Sequence, residues 1–578
     1  MTKMTVPNVK NSIDRAIHAV EGKMTNGLSP ASIMVAYFDW LVHMAHSPGK
    51  MGEMSENFAR KSQDFVTWAA RASMDEHVPD FIQPLAEDRR FRADEWKKFP
   101  FNVISQGFLL KEQWWHYATM GIPGVSKHHE SMVTFGARQW LDIISPTNFF
   151  MTNPQVLKVT AEQGGQNLVK GAENYWNEVM GKVTHAQNNE SNTYKVGENL
   201  ACTEGKVVYR NRLVELLQYA PTTKKVEAEP ILIVPAWIMK YYILDLSQYN
   251  SLVKYLVDQG HTVFMVSWHN PSAEDRDLTM EDYVTQGVME CLKAVTTIVP
   301  DQKVHGVGYC LGGTLLTIAA AAMARENDDR FKTISLFTTQ TDFSEAGELM
   351  LFIDESQISY MEDMMWDQGF LDTKQMSGAF QMLRSFDLVW SKMVNEYLMG
   401  EEPRVNDLMS WNNDPTRMPY KMHTQYLRRL FLDNDLATGR FEIGGKPISI
   451  SDIRSPIFAV GTGKDHVAPW KSVYKIHQLV DTDVTFVLTN GGHNAGIVNE
   501  PGHPRRHYQI ATKLDNDKFI PPMEWAEKQD EHDGSWWEPW QKWLIDYSSG
   551  KVAPPSMGTE KGDYDPICAA PGTYVFEE

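Results

Sequence analysis

The stretch His305–Leu315, HGVGYCLGGTL, decides the fold. A strand-like run, Lys303-Val304-His305-Gly306-Val307-Gly308, leads into Gly308-Tyr309-Cys310-Leu311-Gly312, and an apolar, Ala-rich helical stretch follows over 311–325. G-x-C-x-G between a strand and a helix is a nucleophile elbow with cysteine where serine is usual. The elbow sets one side chain on a sharp strand-to-helix turn, and glycines flank it because larger neighbours would clash. The N-terminus of the following helix favours negative charge, a setting that suits a thiolate. A thiolate is a soft nucleophile, fitted to exchanging acyl groups with other thiols.

Strands and helices alternate around this elbow. Residues 206–209 and 213–219 predict two short strands. Strands at 231–234, 261–267, 304–308 and 333–337 then alternate with helices at 247–259, 280–299 and 311–325. The alternation lapses after 338 and resumes near 455, with a strand at 457–460, a helix at 470–479 and a strand at 484–488. This order predicts an α/β-hydrolase fold, a mostly parallel sheet with helices on both faces. The interruption, about 342–454, is rich in Met, Trp and Tyr and predicts a helical cap over the sheet's carboxyl edge. Residues 1–200 read as a mostly helical N-terminal domain, and 201–578 as the catalytic domain carrying the cap. Trp68, Trp96, Trp114, Trp115 and Trp140 fall in the N-terminal part, either packed in a core or interface or offered to a hydrophobic polymer. The proline-punctuated run 145–154 reads as a structured connection, and 184–191 (THAQNNES) as a polar, exposed segment.

Composition narrows the function classes. The 578 residues, 42% hydrophobic and 22% charged, supply a large core and more than one domain. A formal charge of −19 disfavours nucleic acid and anionic membranes as default partners. It is compatible with a local basic patch for an anionic group such as coenzyme A. The four cysteines, Cys202, Cys291, Cys310 and Cys568, form no C-x-x-C pair, so neither a zinc site nor a disulfide framework is expected. His503 and His507 have i, i+4 spacing but no evident third ligand, and no metal site is expected. The N-terminal MTKMTVPNVKNSIDRAIHAVEG lacks the apolar core of a signal peptide. The most apolar window, 231–244, is broken by Lys240, so no membrane span is expected. These features lead to the expectation of a reduced, cytosolic protein.

A cysteine nucleophile needs a base, and the base an orienting acid, in the chain order nucleophile, acid, base. Asp465 follows the strand 457–460 in GTGKDH, and His493 follows the strand 484–488 in GGHNAG. Each falls just past a carboxyl end of the sheet, beside the place where Cys310 emerges. Asp342, after the strand 333–337, is the rival acid. Tyr309, His466, Asn494 and Ala495 are candidates for lining the substrate pocket. The oxyanion hole is expected from the amide of Leu311 and from the loop after 231–234, at Trp237 and Ile238. The run Gly306-Val307-Gly308 with Gly312 imitates a dinucleotide-binding turn, but it comes late in the sheet and carries a cysteine at its apex. Cysteine has its own logic: moving an acyl group from a thioester to Cys310 gives another thioester at little free-energy cost. That intermediate stays reactive toward an alcohol.

Over nearly its whole length the chain resembles the polyhydroxyalkanoate synthases, of the long class I type. The resemblance rests on Asp88-Arg89-Arg90-Phe91 with Trp96, Ser145–Pro154, Pro235–Leu246 (PAWIMKYYILDL) and Gly308-Tyr309-Cys310-Leu311-Gly312-Gly313. It continues in Asp342-Phe343-Ser344 with Gly347-Glu348-Leu349, Trp411-Asn412, Asp465-His466, Gly492-His493 and Trp536-Trp537. It implies polymerisation of (R)-3-hydroxyacyl-CoA, such as 3-hydroxybutyryl-CoA, into polyester with release of coenzyme A. Coenzyme A is then part of the substrate and a product, and no separate cofactor is implied. By the resemblance, Cys310 carries the acyl chain, His493 activates it, and Asp465 either orients His493 or helps deprotonate the incoming 3-hydroxyl. A homodimer on the surface of cytoplasmic polyester granules is implied as well. Two positions depart from the family pattern: Asn494 stands where an aliphatic residue is usual, and Met239 where Asn is. The alternatives are a depolymerase or thioesterase of the same fold, which usually carries Ser at the elbow, and a granule-coat protein, which needs no triad.

Overall fold

The structure, a computed structural model, describes residues 12–25, 27–75, 77–85, 88–184, 193–376, 389–402, 406–559 and 562–578. Apart from its first residue, the polar segment 184–191 lies outside them, as do parts of the expected cap. The chain forms two compact units, one of Met1–Gly27, Ser191–Met376 and Val405–Glu578, the other of Leu28–Glu190 and Ser377–Arg404. The first unit opens with α1 (Ser12–Met24) and contains the sheet.

The second unit is helical: α2 (Pro30–Ala45), α3 (Pro48–Ala72), α4 (Phe101–Thr119), α5 (Lys127–Ile143), α6 (Pro154–Glu162) and α7 (Gln166–Thr184). Three of these start on an oxygen-bearing N-cap, Ser29, Ser126 and Asn153, each accepting from a first-turn amide. Trp68 and Trp96 are core residues, whereas Trp140 is 70% exposed. The 145–154 connection is ordered by buried amides: Asn148 Nδ2 donates to Asp142 O at 2.7 Å, and Asn153 Nδ2 to Thr147 O at 2.7 Å. Arg90 is buried and gathers Asp88 and Glu112, at 2.7 and 2.8 Å.

Among the described residues the sheet of the first unit has eleven strands. In chain order they are β1 (Gly205–Arg210), β2 (Val214–Tyr219), β3 (Ile231–Val234), β4 (Val263–Trp268), β5 (Val304–Tyr309), β6 (Phe331–Phe337), β7 (Ile457–Thr462), β8 (Val484–Thr489), β9 (His507–Lys513), β10 (His532–Asp533) and β11 (Cys568–Ala569). Across the sheet they run β10-β9-β8-β7-β6-β5-β3-β4-β2-β1-β11. The block from β8 to β4 is parallel, and the outer strands are antiparallel. Strands such as ILIV at 231–234 are buried on both faces, as parallel strands covered by helices must be. One apolar layer holds Leu315, Leu316, Ile318 and Ala319 of α10 (Leu311–Arg325); the other holds Leu252 and Leu256 of α8 (Leu252–Asp258) with Trp536, Trp537 and Trp540.

The strands fall where the alternation places them, with three differences. The 247–259 helix starts only at Leu252, because Ser251 caps it by accepting from Lys254 N at 2.9 Å. Ser247 and Asn250 spend their side chains on Asp407 instead, at 2.7 and 2.8 Å. The 280–299 helix contains a π-helical stretch, Tyr283–Met289, before α9 (Glu290–Ile298). Gly287 lies in that stretch, where an added Cβ would sit 2.7 Å from Trp268. Finally, β9 to β11 were not expected. Between β6 and β7 lie α11 (Glu355–Gln368), α12 (Asp407–Asn412) and α13 (Tyr420–Gln425), the last running into a π-helical turn at Tyr426–Leu432. Residues Ser377–Arg404 of this interval belong to the other unit.

Four buried histidines give the fold an acid limit. Among the described residues, His261, His423 and His477 have no hydrogen-bond partner at either ring nitrogen, and His305 none at Nε2. Burial pulls His261, His423 and His477 from 6.5 to about 3, and His305 to about 4. The unfolded chain therefore binds more protons than the folded one between pH 6.5 and these values. Their contribution is complete above pH 6.5 and is lost as pH falls, by roughly 1.4 kcal/mol per histidine per pH unit. Four such groups would together remove roughly 14 kcal/mol by pH 4, the scale of the ~5–15 kcal/mol of a typical domain. A melting temperature that drops steeply from pH 6.5 to 5, with a shallower slope in His423→Phe, is the expected result; a flat profile over that range would contradict it.

Candidate active site

Cys310 stands between β5 and α10, as the N-cap of α10, with φ 53° and ψ −124°. This is left-handed backbone on a non-glycine residue, the strain of an elbow. The glycines around it are there for close approach. An added Cβ at Gly308 would lie 2.2 Å from Gly313 Cα, at Gly312 2.1 Å from Val234 O, and at Gly313 1.9 Å from Thr339 Oγ1. Backbone bonds pin the apex: Cys310 N donates to Phe337 O at 2.9 Å, and Thr339 Oγ1 to Cys310 O at 3.3 Å. The thiol is half-buried at the carboxyl edge of the sheet.

His493 and Asp465 meet beside it. Nδ1 of His493 donates to Asp465 Oδ2 at 2.7 Å, and Cys310 acts on the same imidazole electrostatically. The Asp465 side chain is fully buried and otherwise saturated: Thr462 Oγ1 donates to Oδ2 at 3.1 Å, and the amides of Val467 and Ala468 to Oδ1 at 2.8 Å each. Burial disfavours a charged imidazole at His493. The Asp465 carboxylate and the negative charge of Cys310 outweigh it, so His493 is raised well above 6.5. The rival acid sits elsewhere: Asp342 accepts from Ser344 N at 2.9 Å and lies 3.4 Å from Lys475 Nζ.

The base loop is braced from behind. Arg506 Nη2 donates to Ala495 O at 2.6 Å, Trp536 Nε1 to Gly496 O at 2.9 Å, and Trp537 Nε1 to Ile497 O at 2.9 Å. Buried indoles supply carbonyl partners here as well as packing. Tyr309 is buried with its ring centroid 5.7 Å from that of His493, and its hydroxyl donates to Asn494 Oδ1 at 2.7 Å. His466 is displaced from this cluster: it is exposed, its Nδ1 lies 3.9 Å from Glu348, and its carbonyl accepts from Glu348 N.

The loop after β3 abuts the elbow, as the contact of Gly312 with Val234 and Pro235 requires. The carbonyls of Trp237 and Ile238 are held by one cap residue. Thr416 Oγ1 donates to Trp237 O, and Thr416 N to Ile238 O at 3.1 Å. Among the described residues no acceptor takes the amides of Leu311, Trp237 or Ile238.

Four residues of this site lie in the cap and were not singled out as site residues in the sequence: Thr416, Asn412, Trp411 and Tyr426. Trp411 Nε1 donates to Lys240 O at 2.7 Å, and Asn494 Nδ2 to Asn412 Oδ1 at 3.1 Å. Tyr426 packs its ring 6.2 Å from Trp237. Its phenol is pushed up by burial and then by the charge of Cys310. The pair Trp411-Asn412 was legible as a motif of the resemblance, but its role, like that of Thr416, depends on chain crossing that local pattern does not encode. Among the described residues no group of acidic, His or Cys side chains is arranged to hold a metal ion; His507 Nδ1 lies 3.1 Å from Glu531, and His503 Nδ1 bonds Pro504 O. No described helix is long and apolar enough to cross a membrane.

Patterns of known families match this chain. The family described as Poly-beta-hydroxybutyrate polymerase (PhaC) N-terminus matches residues 87–256, and Poly-beta-hydroxybutyrate polymerase N terminal matches 8–50. The alpha/beta hydrolase fold matches 229–500. The poly(3-hydroxyalkanoate) polymerase of Methylorubrum extorquens is 39% identical over 86% of this chain and 81% of its own length. The poly(3-hydroxyalkanoate) polymerase subunit PhaC of Cupriavidus necator is 34% identical over 96% and 93%. Among solved structures, the thioesterase domain from the curacin biosynthetic pathway aligns with 51% of this chain and 95% of its own, at 14% identity and a TM-score of 0.29. The chain belongs to the poly(3-hydroxyalkanoate) polymerases, the acyltransferases known as polyhydroxyalkanoate synthases.

Proposed function

We propose that the protein polymerises (R)-3-hydroxyacyl-CoA, with 3-hydroxybutyryl-CoA as the test substrate, through a covalent acyl-Cys310 intermediate. The observation that carries this reading is a cysteine at a strained elbow, electrostatically coupled to His493, whose Nδ1 is held by the buried Asp465. His493 takes the proton of the Cys310 thiol before attack, and the resulting thiolate attacks the thioester carbonyl. The oxyanion forms beside the amides of Leu311 and of Trp237 or Ile238. Collapse expels the coenzyme A thiolate, which receives the proton from His493, and leaves the acyl group on Cys310. The 3-hydroxyl of a further hydroxyacyl unit then gives its proton to His493 and attacks this thioester, forming an oxygen ester and returning the thiolate. Thioester-to-thioester transfer is nearly balanced, and ester formation from a thioester is downhill. A serine would form the oxygen ester first and forfeit that second driving force.

The packing of Asp465 supports the orienting role among its two alternatives. Both oxygens are occupied within the protein and the side chain has no exposed face for a substrate hydroxyl. Tyr426, Thr416 and Asn412 support a cap lying over Cys310, where it keeps water from the acyl-thioester. Substrate access then requires part of the cap to move. Assembly as a homodimer on the polyester surface belongs to the same proposal. Its support is the apolar outer face of α2, where Met34, Tyr37 and Phe38 are each more than half exposed.

Incubation of the purified protein with 3-hydroxybutyryl-CoA tests the reading, with free thiol, turbidity and sedimentation followed together. Stoichiometric thiol release with growing turbidity, and a shift toward dimer as substrate is added, are expected. Thiol release with soluble 3-hydroxybutyrate as sole product would make the protein a thioesterase, and a strictly monomeric species with specific activity flat across dilution would remove the dimer.

A further inference from the structure

Three segments far apart in sequence meet at one amide. Tyr309 precedes the nucleophile, Asn494 follows the base, and Asn412 ends α12 in the cap. The Tyr309 hydroxyl donates to Asn494 Oδ1 at 2.7 Å, and Asn494 Nδ2 donates to Asn412 Oδ1 at 3.1 Å. The Tyr309 ring is 2% exposed and lies 5.7 Å, centroid to centroid, from the His493 ring, tilted by 40°. Its phenol is raised well above 10 by burial, then by the charges of Cys310 and Asp465, so it stays a donor. Asn494 is thus the acceptor that satisfies a buried hydroxyl packed on the base, and the same amide reaches the cap.

The loop does not need this side chain to fold. Its turns are closed by backbone bonds, Ile497 N and Val498 N to Asn494 O at 3.0 Å each, and its carbonyls by Arg506, Trp536 and Trp537. The amide of Asn494 therefore has work apart from holding the loop.

We propose that Asn494 is a positioning residue that links nucleophile elbow, base and cap: through Tyr309 it fixes the ring plane of His493 against Cys310, and through Asn412 it holds α12 down over the acyl-thioester. This rests on the acyl-Cys310 reading above. The two arms have separable consequences. Losing the Tyr309 arm leaves a buried hydroxyl unpaired and the His493 ring less confined, which slows acylation. Losing the Asn412 arm loosens the cover over the thioester, which admits water and diverts acyl groups to free 3-hydroxy acid.

The test is rapid-quench acylation and product partition with 3-hydroxybutyryl-CoA in Asn494→Ala, Tyr309→Phe, Asn412→Ala and the double variant Tyr309→Phe/Asn494→Ala. Asn494→Ala is expected to lower the single-turnover acylation rate about 5- to 10-fold, the scale of one or two hydrogen bonds, with KM changed less than twofold. It is also expected to raise the hydrolysed fraction. Tyr309→Phe should reproduce the rate loss alone, Asn412→Ala the hydrolysis alone, and the double variant should be no slower than Asn494→Ala. Acylation within twofold of wild type together with unchanged partition in Asn494→Ala would overturn the proposal, as would full additivity in the double variant. A wild-type burst of one coenzyme A per Cys310 keeps the underlying reading intact in either outcome; absence of that burst would instead remove the reading itself. Circular dichroism and melting of each variant separate these results from misfolding.

Discussion

Cys310→Ala abolishes coenzyme A release, with a loss of about 10⁴-fold or more, and leaves the fold intact. The size follows from the non-additivity of catalytic units: without the nucleophile, the oxyanion amides and the base have no covalent step to assist. The intact fold follows from the position, since the substitution removes one half-buried sulfur and keeps the Cβ that the φ of 53° already accommodates. The other three cysteines serve as internal controls. Cys291 is buried in the core, where desolvation raises its thiol, and Cys202 is raised by burial and then by Asp245. Cys568 lies on the edge strand β11, its sulfur accepting from Arg210 at 3.6 Å. Each of these to alanine should retain turnover, with Cys291→Ala costing stability by roughly 1–2 kcal/mol for the packing it vacates. Thiol release measured beside mass spectrometry of the Cys310 peptide decides the matter. Substantial turnover by Cys310→Ala, or an acyl adduct found on another cysteine, would sink the assignment of the nucleophile.

What the sequence made legible, and what it did not, divides by the range of the interactions. The elbow is a local device: Gly308, Gly312 and Gly313 are dictated by contacts with their own neighbourhood, so the motif alone reveals strand, turn and helix. Asp465 and His493 were readable because each follows a parallel strand buried on both faces, whose apolar run is unmistakable. The cap's contribution was not. Thr416 reaches Trp237 across 179 residues, and Asn412 meets Asn494 across 82. No periodicity specifies which loop a polar side chain will cross, and the π-helical stretch carrying Tyr426 blurs the helical period itself. Strand β9 escaped for the opposite reason. It is antiparallel and only half-buried, so its alternation of Tyr508 and Ile510 with polar residues is weak beside the core strands. The short helix α8 shows propensity losing to tertiary demand, since Ser247 and Asn250 are drawn to Asp407 rather than into a helical turn.

His493→Ala is the second large effect, and its partner Asp465→Asn gives it a sign in pH. A positioned general base contributes roughly 10²–10⁴-fold, so acylation by His493→Ala should slow by at least about 10²-fold while KM for the acyl-CoA changes little. The imidazole is raised well above 6.5 because the Asp465 carboxylate and the charge of Cys310 outweigh burial. Removing the carboxylate's charge in Asp465→Asn takes away the foremost of the two raising causes, so His493 must fall and its neutral form must appear at lower pH. The acidic limb of the acylation profile is therefore expected to move toward lower pH in Asp465→Asn, with the plateau itself lowered by about 10²-fold because the amide no longer fixes the Nδ1–H tautomer. The same sign applies to stability: a histidine raised in the folded state contributes fully below 6.5, and that contribution disappears as pH rises through the elevated value. Asp465→Asn should thus narrow the stability gap to wild type at alkaline pH and widen it near pH 6. Rapid-quench acylation between pH 5 and 9, with parallel melting curves, measures both. Acylation by His493→Ala within tenfold of wild type would remove the base, and an unmoved acidic limb in Asp465→Asn would remove the electrostatic coupling between the two residues.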